Sequence, residues 1–594
     1  MISNIFSVII DQWRAVFGIL FLMALAQMLT VSALRSIFDK RLTPTEYLTL
    51  GIAGWLLPAS LISILWFLFG FKLSLPFNLL LSISLLILLI IFHLRFKPDP
   101  GPDSKLTTIS LLLFLSASIF LRLAFVTKAV LPSYFDSAPH YLLIKNILGN
   151  NLKGLLASLT TNYYHLGYHI LAAFITSTTQ AEITKVMLIL GQMILAIIPL
   201  SLFFVIKHET KSNIAGMFTV IVAAYGWYMP AHAVDWGKYP ALTSLGLIPF
   251  VLSLAYLFSQ YKSVLSTQKR WGLLIFLGVA ILISGFMHSR SLVVFGIVFV
   301  AWIITTWQQK LPSLQQAWMF FAIIVAIIGE VIYIQKQDVL LLLLDPYIHK
   351  GIWITALVLL LSVFAQRSYP QLVLIGLLTF GFLLGSLFIP VQGLIPGHAN
   401  LTLLDRPFVE MILFMPLSLL GGLGLAGLDG ILQEKNIRLI SNKGFIGLIV
   451  ITLVLINAYF TYDLYPAKCC VFAGNDDVTA IGWINNQLPT DARIGVSATE
   501  LKVLPSGVFE GYVGGDAGTW ITPLTNRGTI PLLYNSSFDE QATLDNLCQK
   551  KITHLYVGEL GQTFDDSQLS AQPAWYKVLL SMPQVRVYQV IGCK

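Results

Sequence analysis

Charged residues are scarce in this chain of 594 amino acids. Asp, Glu, Lys and Arg make up 11% of it, whereas soluble domains contain about 25%. Hydrophobic residues make up 56%. Together these values exclude an ordinary soluble protein. They also exclude a disordered chain, because disorder requires low hydrophobicity and high charge.

Between residues 13 and 463, most of the polar segments that separate apolar stretches are short. Fourteen apolar stretches lie there, each close to the roughly 20 residues that a helix needs to cross a bilayer. They are 13–34, 47–70, 75–94, 106–127, 183–206, 213–231, 239–259, 271–287, 290–306, 314–335, 351–366, 370–390, 407–431 and 444–463. We therefore predict a polytopic α-helical membrane domain over residues 1–465, with about 14 transmembrane helices.

The basic excess belongs to the membrane part. Residues 1–465 hold 28 Lys and Arg against 17 Asp and Glu, and residues 466–594 hold 9 against 12. Loop cations set membrane orientation, so nucleic-acid binding has no support. The basic loop clusters all become cytoplasmic if the short apolar segment 163–177 enters the membrane without crossing it. The extracytoplasmic side then receives the loops 128–182, 232–238, 287–290 and 391–406 and the C-terminal part.

Cysteine is absent from residues 1–465, and all four cysteines follow the last apolar stretch. They are Cys469, Cys470, Cys548 and Cys593. This distribution fits an oxidising compartment and up to two disulfides, with the pairing left open. The paired Cys and His spacings of a structural zinc site are not seen, so a divalent metal is not favoured, and none is required.

Residues 466–594 differ in character from the rest. A helix is predicted over 476–487 and strands over 493–497, 552–558 and 585–591, which indicates a small extracytoplasmic α/β domain. The glycine-rich stretch 511–518 reads as a loop. It lacks the Lys-Ser/Thr of a phosphate loop, so nucleotide binding is not predicted.

The predicted outer side collects unusual polar residues. Eight of the ten histidines fall there, and Arg122, Glu330 and Glu410 lie near the outer ends of their helices. Because polar groups in a bilayer are costly, such a set favours a functional cavity over simple anchoring at the interface.

The first outer loop contains Asp136, followed by Pro139, His140 and Tyr141. Proline is common in the first turn of a helix, which places Asp136 just before a helix and His140 in its first turn. A carboxylate there can accept a proton from a hydroxyl, and the histidine can orient it. Asp is also a common helix cap, and from spacing alone capping is the favoured alternative.

A histidine pair, His165 and His169, follows at i and i+4, on one face of a helix. With no carboxylate or thiolate nearby in sequence, hydrogen bonding to a sugar or phosphate is favoured over metal binding. Anchoring at the membrane interface stays open.

Three further outer turns carry cations or histidines. Their candidate residues are Asp235, Lys238 and Tyr239; His288 and Arg290; and His398 and Arg406. Arginine binds phosphate oxygens in a bidentate manner, so a lipid phosphate at the outer leaflet is the expected ligand. General contact with lipid head groups is the competing interpretation.

These motifs resemble the GT-C superfamily of membrane glycosyltransferases. The likeness lies in the Asp before a His-Tyr helix, the Tyr-Tyr-x-x-Gly-Tyr-His entry at 163–169, and the Trp-Gly-Lys-Tyr-Pro turn at 236–240. It extends to the late loop, Leu404-Asp-Arg-Pro-Phe, and to the segment 515–527, which resemble elements of uncharacterised bacterial members. The likeness covers most of the chain from about residue 130 onward.

The resemblance implies transfer of a sugar from a polyprenyl-phosphate donor to an extracytoplasmic hydroxyl of a glycan, lipid or protein, at a bacterial plasma membrane. It assigns Asp136 as the base. The inferred donor-phosphate ligands are Lys238, His288, Arg290, His398 and Arg406, and the inferred sugar and acceptor ligands are His140, Tyr141, His165, His169, Asp235 and Tyr239.

Two departures from the family narrow the expectation. The usual pair of acidic residues is replaced by Asp-Ser-Ala-Pro-His, which does not support a two-carboxylate metal site. The Trp-Trp-Asp-Tyr-Gly signature of oligosaccharyltransferases is absent, which disfavours glycan transfer to Asn. A polymerase or ligase that uses a diphosphate-linked donor and a lipid transporter are the alternatives, although no internal repeat supports transport.

Overall fold

The computed structural model describes residues 1–70, 87, 105–149, 165–337, 340–391, 402–434, 445–503 and 508–593. This part is mostly helical, with a small sheet near the C-terminus. Ten of its helices are long and apolar enough to cross a membrane. They are Trp13–Phe38, Pro44–Phe69, Lys105–Val126, Ile183–Thr210, Tyr239–Tyr261, Thr267–Met287, Arg290–Gln308, Ser313–Gln335, Pro370–Phe388 and Arg406–Glu434.

Three other predicted stretches form shorter apolar helices, Asn213–Tyr225, Ile352–Ser368 and Phe445–Thr461. The first has 13 residues and extends only about 20 Å, because Gly226 and Pro230 follow in a turn. The stretch predicted at 75–94 lies outside the described residues, apart from Ile87. A polytopic membrane protein is therefore the class that the helices support, with ten candidate spans in the described part.

Helix starts follow local sequence signals. Thr43 and Glu46 form a capping box before helix Pro44–Gly54, whose first residue is proline. Ser212 and Asp405 cap the helices that follow them through their side-chain oxygens, which accept hydrogen bonds from the backbone N–H groups of Ala215 and Phe408.

The helix pair over Ile183–Thr210 forms the centre of the bundle. In its most apolar stretch of 18 residues, 94% of the residues are buried. Helix Ser313–Gln335 lies at the periphery, with only 6% buried. Between these extremes, the short helix Gly167–Thr179 is almost entirely buried and packs against helices Ser137–Gly149 and Leu56–Phe69. Its 13 residues extend about 20 Å, less than the roughly 30 Å of a bilayer core.

The two ends of the central helices carry different polar groups. Near one end, Lys185 Nζ donates to the carbonyl oxygen of Val130, 3.3 Å away. Near the other, His208 Nδ1 lies 2.8 Å from Glu46 Oε1. Because each helical residue advances 1.5 Å, these two points are about 35 Å apart, which is enough to span a bilayer core.

The C-terminal residues form a six-stranded sheet with helices Asn475–Gln487, Ile521–Thr525, Gln541–Gln549 and Asp566–Ser570. The strands are β1 Arg493–Val503, β2 Val508–Gly514, β3 Gly528–Leu533, β4 His554–Val557, β5 Tyr576–Ser581 and β6 Arg586–Val590. Their order is β2-β1-β4-β6-β5, and β3 also pairs with β1. β1 is parallel to β3 and β4, and the β1–β2, β4–β6 and β5–β6 pairs are antiparallel.

The predicted helix and three predicted strands are present here, and β2, β3 and β5 are additional. Part of the stretch interpreted as a glycine-rich loop, 511–514, belongs to β2. Cys548 and Cys593 form a disulfide, whereas Cys469 and Cys470 are free thiols.

Candidate functional site

Asp136 lies immediately before helix Ser137–Gly149, with Pro139 and His140 in the first turn, as predicted. Its carboxylate forms an ion pair with Lys238 Nζ, which comes from the turn before helix Tyr239–Tyr261. The two side chains are 25% and 33% exposed respectively, so both can reach a ligand.

A glycine allows this pairing. Gly237 has a positive φ of +62°, and a Cβ atom there would lie 2.5 Å from Ser137 Oγ. Glycine adopts this conformation without strain, and it alone fits this close approach. The turn therefore packs directly against the start of the Asp136 helix, which places Lys238 beside the carboxylate.

Histidines connect the first outer loop to two other segments. His140 Nδ1 lies 2.9 Å from His169 Nε2, and His169 Nδ1 lies 2.7 Å from the carbonyl oxygen of His165. The His165 ring stacks on His288, with centroids 4.2 Å apart. Burial lowers the pKa of His140 to about 3, and the charge of Lys238 acts in the same direction. His140 is therefore neutral at physiological pH and serves as a hydrogen-bonding group, not as a cation.

His288 and Arg290 both lie against the ring of Phe408. His288 stacks on this ring at 5.3 Å, and the Arg290 guanidinium lies 5.8 Å from its centroid. Arg290 also pairs with Asp405 at 2.8 Å, and Arg406 Nε lies 3.5 Å from Glu410 Oε2.

Arg290 Nε and His288 Nδ1 are among the nitrogen atoms of this region that are buried without a hydrogen-bond partner among the described residues. Buried polar atoms are nearly always hydrogen-bonded, so an acceptor oxygen would be favourable at either nitrogen. A phosphate oxygen is an acceptor of this kind.

Some of the predicted ligands are enclosed by protein. Asp235 is 1% exposed and accepts hydrogen bonds from Tyr228 Oη at 3.1 Å and the Ala467 backbone N–H at 2.9 Å. Tyr239 is also 1% exposed and stacks on Tyr168 at 5.5 Å. These contacts fix the turn that carries Lys238. His398 lies outside the described residues.

Tyr141 faces the C-terminal domain. Its ring packs edge-on against Trp520, with centroids 5.7 Å apart. One helical turn later, Lys145 Nζ donates to the carbonyl oxygen of Pro523 and to Asn526 Oδ1, both at 2.9 Å. The helix that follows Asp136 therefore joins the bundle to the C-terminal domain.

Most of the conspicuous C-terminal motif, 515–527, is structural. The buried Asp516 carboxylate accepts hydrogen bonds from the backbone of Gly518 and Gly558. Arg527 donates to the carbonyl oxygens of Asn485, Leu488 and Thr525. Burial raises the pKa of Asp516 well above its usual range. These contacts organise the domain and leave both side chains inaccessible.

Sequence reasoning missed Asp405 and Phe408 as partners of Arg290. Their motif, Asp-Arg-Pro-Phe, carries a helix-start signal, which could have placed Asp405 at a cap but not beside a turn more than 100 residues earlier. The three carboxylates near the cations, Asp136, Asp405 and Glu410, each pair with a different cation. Within the described residues, the group with ligand atoms close enough to hold an ion is His232, Cys469 and Cys470.

Comparison with known proteins gives one family. The model described as "Family of unknown function (DUF6541)" matches residues 18–340, which is more than half of the chain. The match includes Asp136, His140, Lys238 and Arg290 and ends before Asp405 and the C-terminal domain. No curated protein matches the sequence. The chain belongs to the DUF6541 family, whose function is unknown.

Proposed function

We propose that this protein is a membrane glycosyltransferase of GT-C type. It would move a sugar from a polyprenyl-phosphate donor to an extracytoplasmic hydroxyl acceptor, with inversion at the anomeric carbon and with Asp136 as the base.

The observation that carries the proposal is the convergence of candidate residues from five separate segments. Asp136 and His140 meet His165 and His169, the Lys238 turn, the His288–Arg290 turn and the Asp405–Arg406 turn through a continuous series of contacts. The contacts are Asp136–Lys238, His140–His169, His165–His288, His288–Phe408 and Arg290–Asp405. These segments are distant in sequence, so packing of the bundle alone does not require polar groups at each of them.

The proposed reaction needs a base and a stabilised leaving group. Asp136 would accept the proton of the acceptor hydroxyl, whose oxygen attacks the anomeric carbon as the bond to the phosphate oxygen breaks. The electron pair leaves with the lipid phosphate. Its developing charge would be stabilised by Lys238, Arg290 and Arg406, because fixed cations are most effective where charge forms in the transition state.

Each of these cations is paired with a carboxylate, and this pairing defines what donor binding must do. A donor phosphate would compete with Asp136 for Lys238 and with Asp405 for Arg290. Displacing Lys238 from Asp136 would also free the carboxylate oxygen that has to take the proton. Donor binding and exposure of the base would then be one event.

The orientation belongs to the proposal as well. The end of the bundle with Asp136 would face the extracytoplasmic side, because the basic loops then lie in the cytoplasm. The C-terminal domain would lie on the same side and guide the acceptor, since it contacts the helix that begins after Asp136.

The test uses purified protein with a panel of polyprenyl-phosphate sugars and measures release of free polyprenyl phosphate. We expect release by wild type, a loss of at least about 100-fold in Asp136→Asn, as for removal of a general base, and wild-type release by Asp491→Asn. Asp491 is an exposed carboxylate in the C-terminal domain and serves as the matched control. Full activity of Asp136→Asn would exclude it as the base. Diphosphate-linked donors are tested in parallel, and release of polyprenyl diphosphate from them with no release from the monophosphate panel would replace the proposed donor class.

A further inference from the structure

Three chain segments meet where the bundle joins the C-terminal domain. The Tyr134 backbone N–H donates to the carbonyl oxygen of Cys470, 2.9 Å away. The Ala467 backbone N–H donates to Asp235 Oδ1, also at 2.9 Å. These bonds hold the Cys469–Cys470 turn against the His232–Asp235 turn.

This junction brings two thiols and an imidazole together. The Sγ atoms of Cys469 and Cys470 and one ring nitrogen of His232 all lie within 4.8 Å of one another. Neither cysteine belongs to the disulfide of the domain. Both thiols point the same way because they lie in a turn, which is closed by a hydrogen bond of 3.0 Å from the Cys470 N–H to the Ala467 carbonyl oxygen. In an extended strand, consecutive side chains would point to opposite faces.

We propose that His232, Cys469 and Cys470 form a binding site for a thiophilic divalent cation, with Zn²⁺ as the reference ion. The site is separate from the proposed transfer chemistry, so either inference can fail while the other holds. Sequence spacing could not indicate it, because the histidine precedes the seventh predicted transmembrane stretch, 239–259, whereas the cysteines follow the last one, 444–463.

The dimensions suit a tetrahedral ion. With bonds of about 2.0–2.3 Å, the ligand atoms around Zn²⁺ lie about 3.3–3.8 Å apart. Side-chain movements of about 1 Å would therefore bring the three atoms from the present spacing into place. Binding would release the two thiol protons to solvent, so that two thiolates and a neutral imidazole balance the charge of the ion.

Asp235 lies beside the imidazole ring of His232. Its Oδ2 atom lies 3.1 Å from His232 Nδ1, which has no hydrogen-bond partner among the described residues, so a small rotation of the ring would make this contact a hydrogen bond and leave Nε2 for the ion. Histidine ligands commonly donate their other N–H to a carboxylate, which fixes the ring and increases its basicity. Cys470 is buried and Cys469 is exposed, so the ion would have one open side and a fourth position for water.

The experiment uses the full-length protein, purified in detergent, reduced and then freed of reductant. We expect one equivalent of Zn²⁺ by equilibrium dialysis, and a thiolate-to-metal charge-transfer band when Co²⁺ replaces it. Cys469→Ser, Cys470→Ser and His232→Gln should each lose both signals. Asp235→Asn should retain binding with about 10–100-fold lower affinity, as for other carboxylates behind a histidine ligand.

The matched control is the double variant Cys548→Ser/Cys593→Ser, which removes the other two sulfur atoms and should still bind one equivalent. Equal thermal stability of the metal-free wild type and variants would show that the ligand variants are folded. The cobalt spectrum of the wild-type protein tests the site without any variant. If wild type takes up no more Zn²⁺ than the double variant Cys469→Ser/Cys470→Ser, the proposed site is wrong. A Cys469–Cys470 disulfide in protein isolated without reductant would also overturn it.

Discussion

Lys238 can act in two ways, as a ligand of the donor phosphate and as the partner of Asp136. In Lys238→Ala we expect the KM for the donor to rise at least tenfold with a smaller change in kcat, because a phosphate contact is lost. The free energy of unfolding should change by no more than about 1 kcal/mol, since a partly exposed ion pair contributes little to stability. Steady-state kinetics and a thermal unfolding curve measure both effects. Lys310→Ala, at an exposed lysine, is the control. A fall in kcat at constant KM would instead assign Lys238 to positioning Asp136.

Gly237 holds the Lys238 turn against the Asp136 helix. We expect Gly237→Ala to lower the free energy of unfolding by about 1–3 kcal/mol, because it places a side chain at a positive φ and against Ser137 Oγ. Gly272→Ala is the matched control, since no other group lies within 4 Å of a Cβ atom there. Thermal unfolding in detergent compares the two. Equal stability of both variants would show that the turn can move away without cost.

The candidate residues were predictable where their signals are local. Asp136, Pro139 and His140 follow the rules for a helix start, and the structure places them accordingly. The partners of these residues were not predictable, because the Arg290–Asp405 and Lys238–Asp136 pairs join segments about 100 residues apart. A single sequence contains the residue types for such pairs but not the packing that brings them together.

Helix Ser137–Gly149 connects the proposed base to the C-terminal domain. Its Tyr141 packs on Trp520 and its Lys145 bonds to the segment 523–526. Because this helix contacts both the bundle and the domain, a displacement of the domain would shift the start of the helix, which directly follows Asp136. In the proposed enzyme, the domain would act on the site through this helix.

This connection can be tested by truncating one side chain. We expect Tyr141→Ala to weaken docking of the domain by about 1 kcal/mol, the typical contribution of an aromatic pair. Limited proteolysis within residues 462–474 should then be about fivefold faster, because cleavage follows the population of the open form. Tyr534→Ala, at an exposed tyrosine of the same domain, should leave the rate unchanged. Unchanged cleavage in Tyr141→Ala would locate the docking energy elsewhere.

At the scale of elements, hydrophobic periodicity predicted helices well and strands incompletely. Each apolar stretch that lies in the described residues forms a helix, because burial in either protein or lipid favours the same pattern. β2 was missed because its glycines at 511 and 514 weaken the strand signal, and a bulge interrupts its pairing with β1. Pairing with a long neighbouring strand compensates for the weak local preference.

The whole molecule has one end rich in candidate site residues and another where Glu46 and His208 meet. Arg41 and Val264 are also in contact at this second end, through a hydrogen bond of 3.3 Å. Among the described residues, Arg35, Lys207 and Arg270 also lie at this end, beside Tyr47, Thr43 and Leu265 respectively. The proposed donor is membrane-bound, so the side that Asp136 faces decides which leaflet can supply it.

Two exposed positions at opposite ends test this orientation. In a Cys469→Ser/Cys470→Ser background, Ala571→Cys lies in the C-terminal domain and Ser263→Cys lies near Arg41 and Val264. We expect a membrane-impermeant maleimide to label Ala571→Cys in cells whose plasma membrane is intact and whose outer layers are permeable. Ser263→Cys should be labelled only after the plasma membrane is opened, because its end carries the basic loops that favour the cytoplasm. The reverse pattern would place Asp136 on the cytoplasmic side, where a donor in the outer leaflet could not reach it.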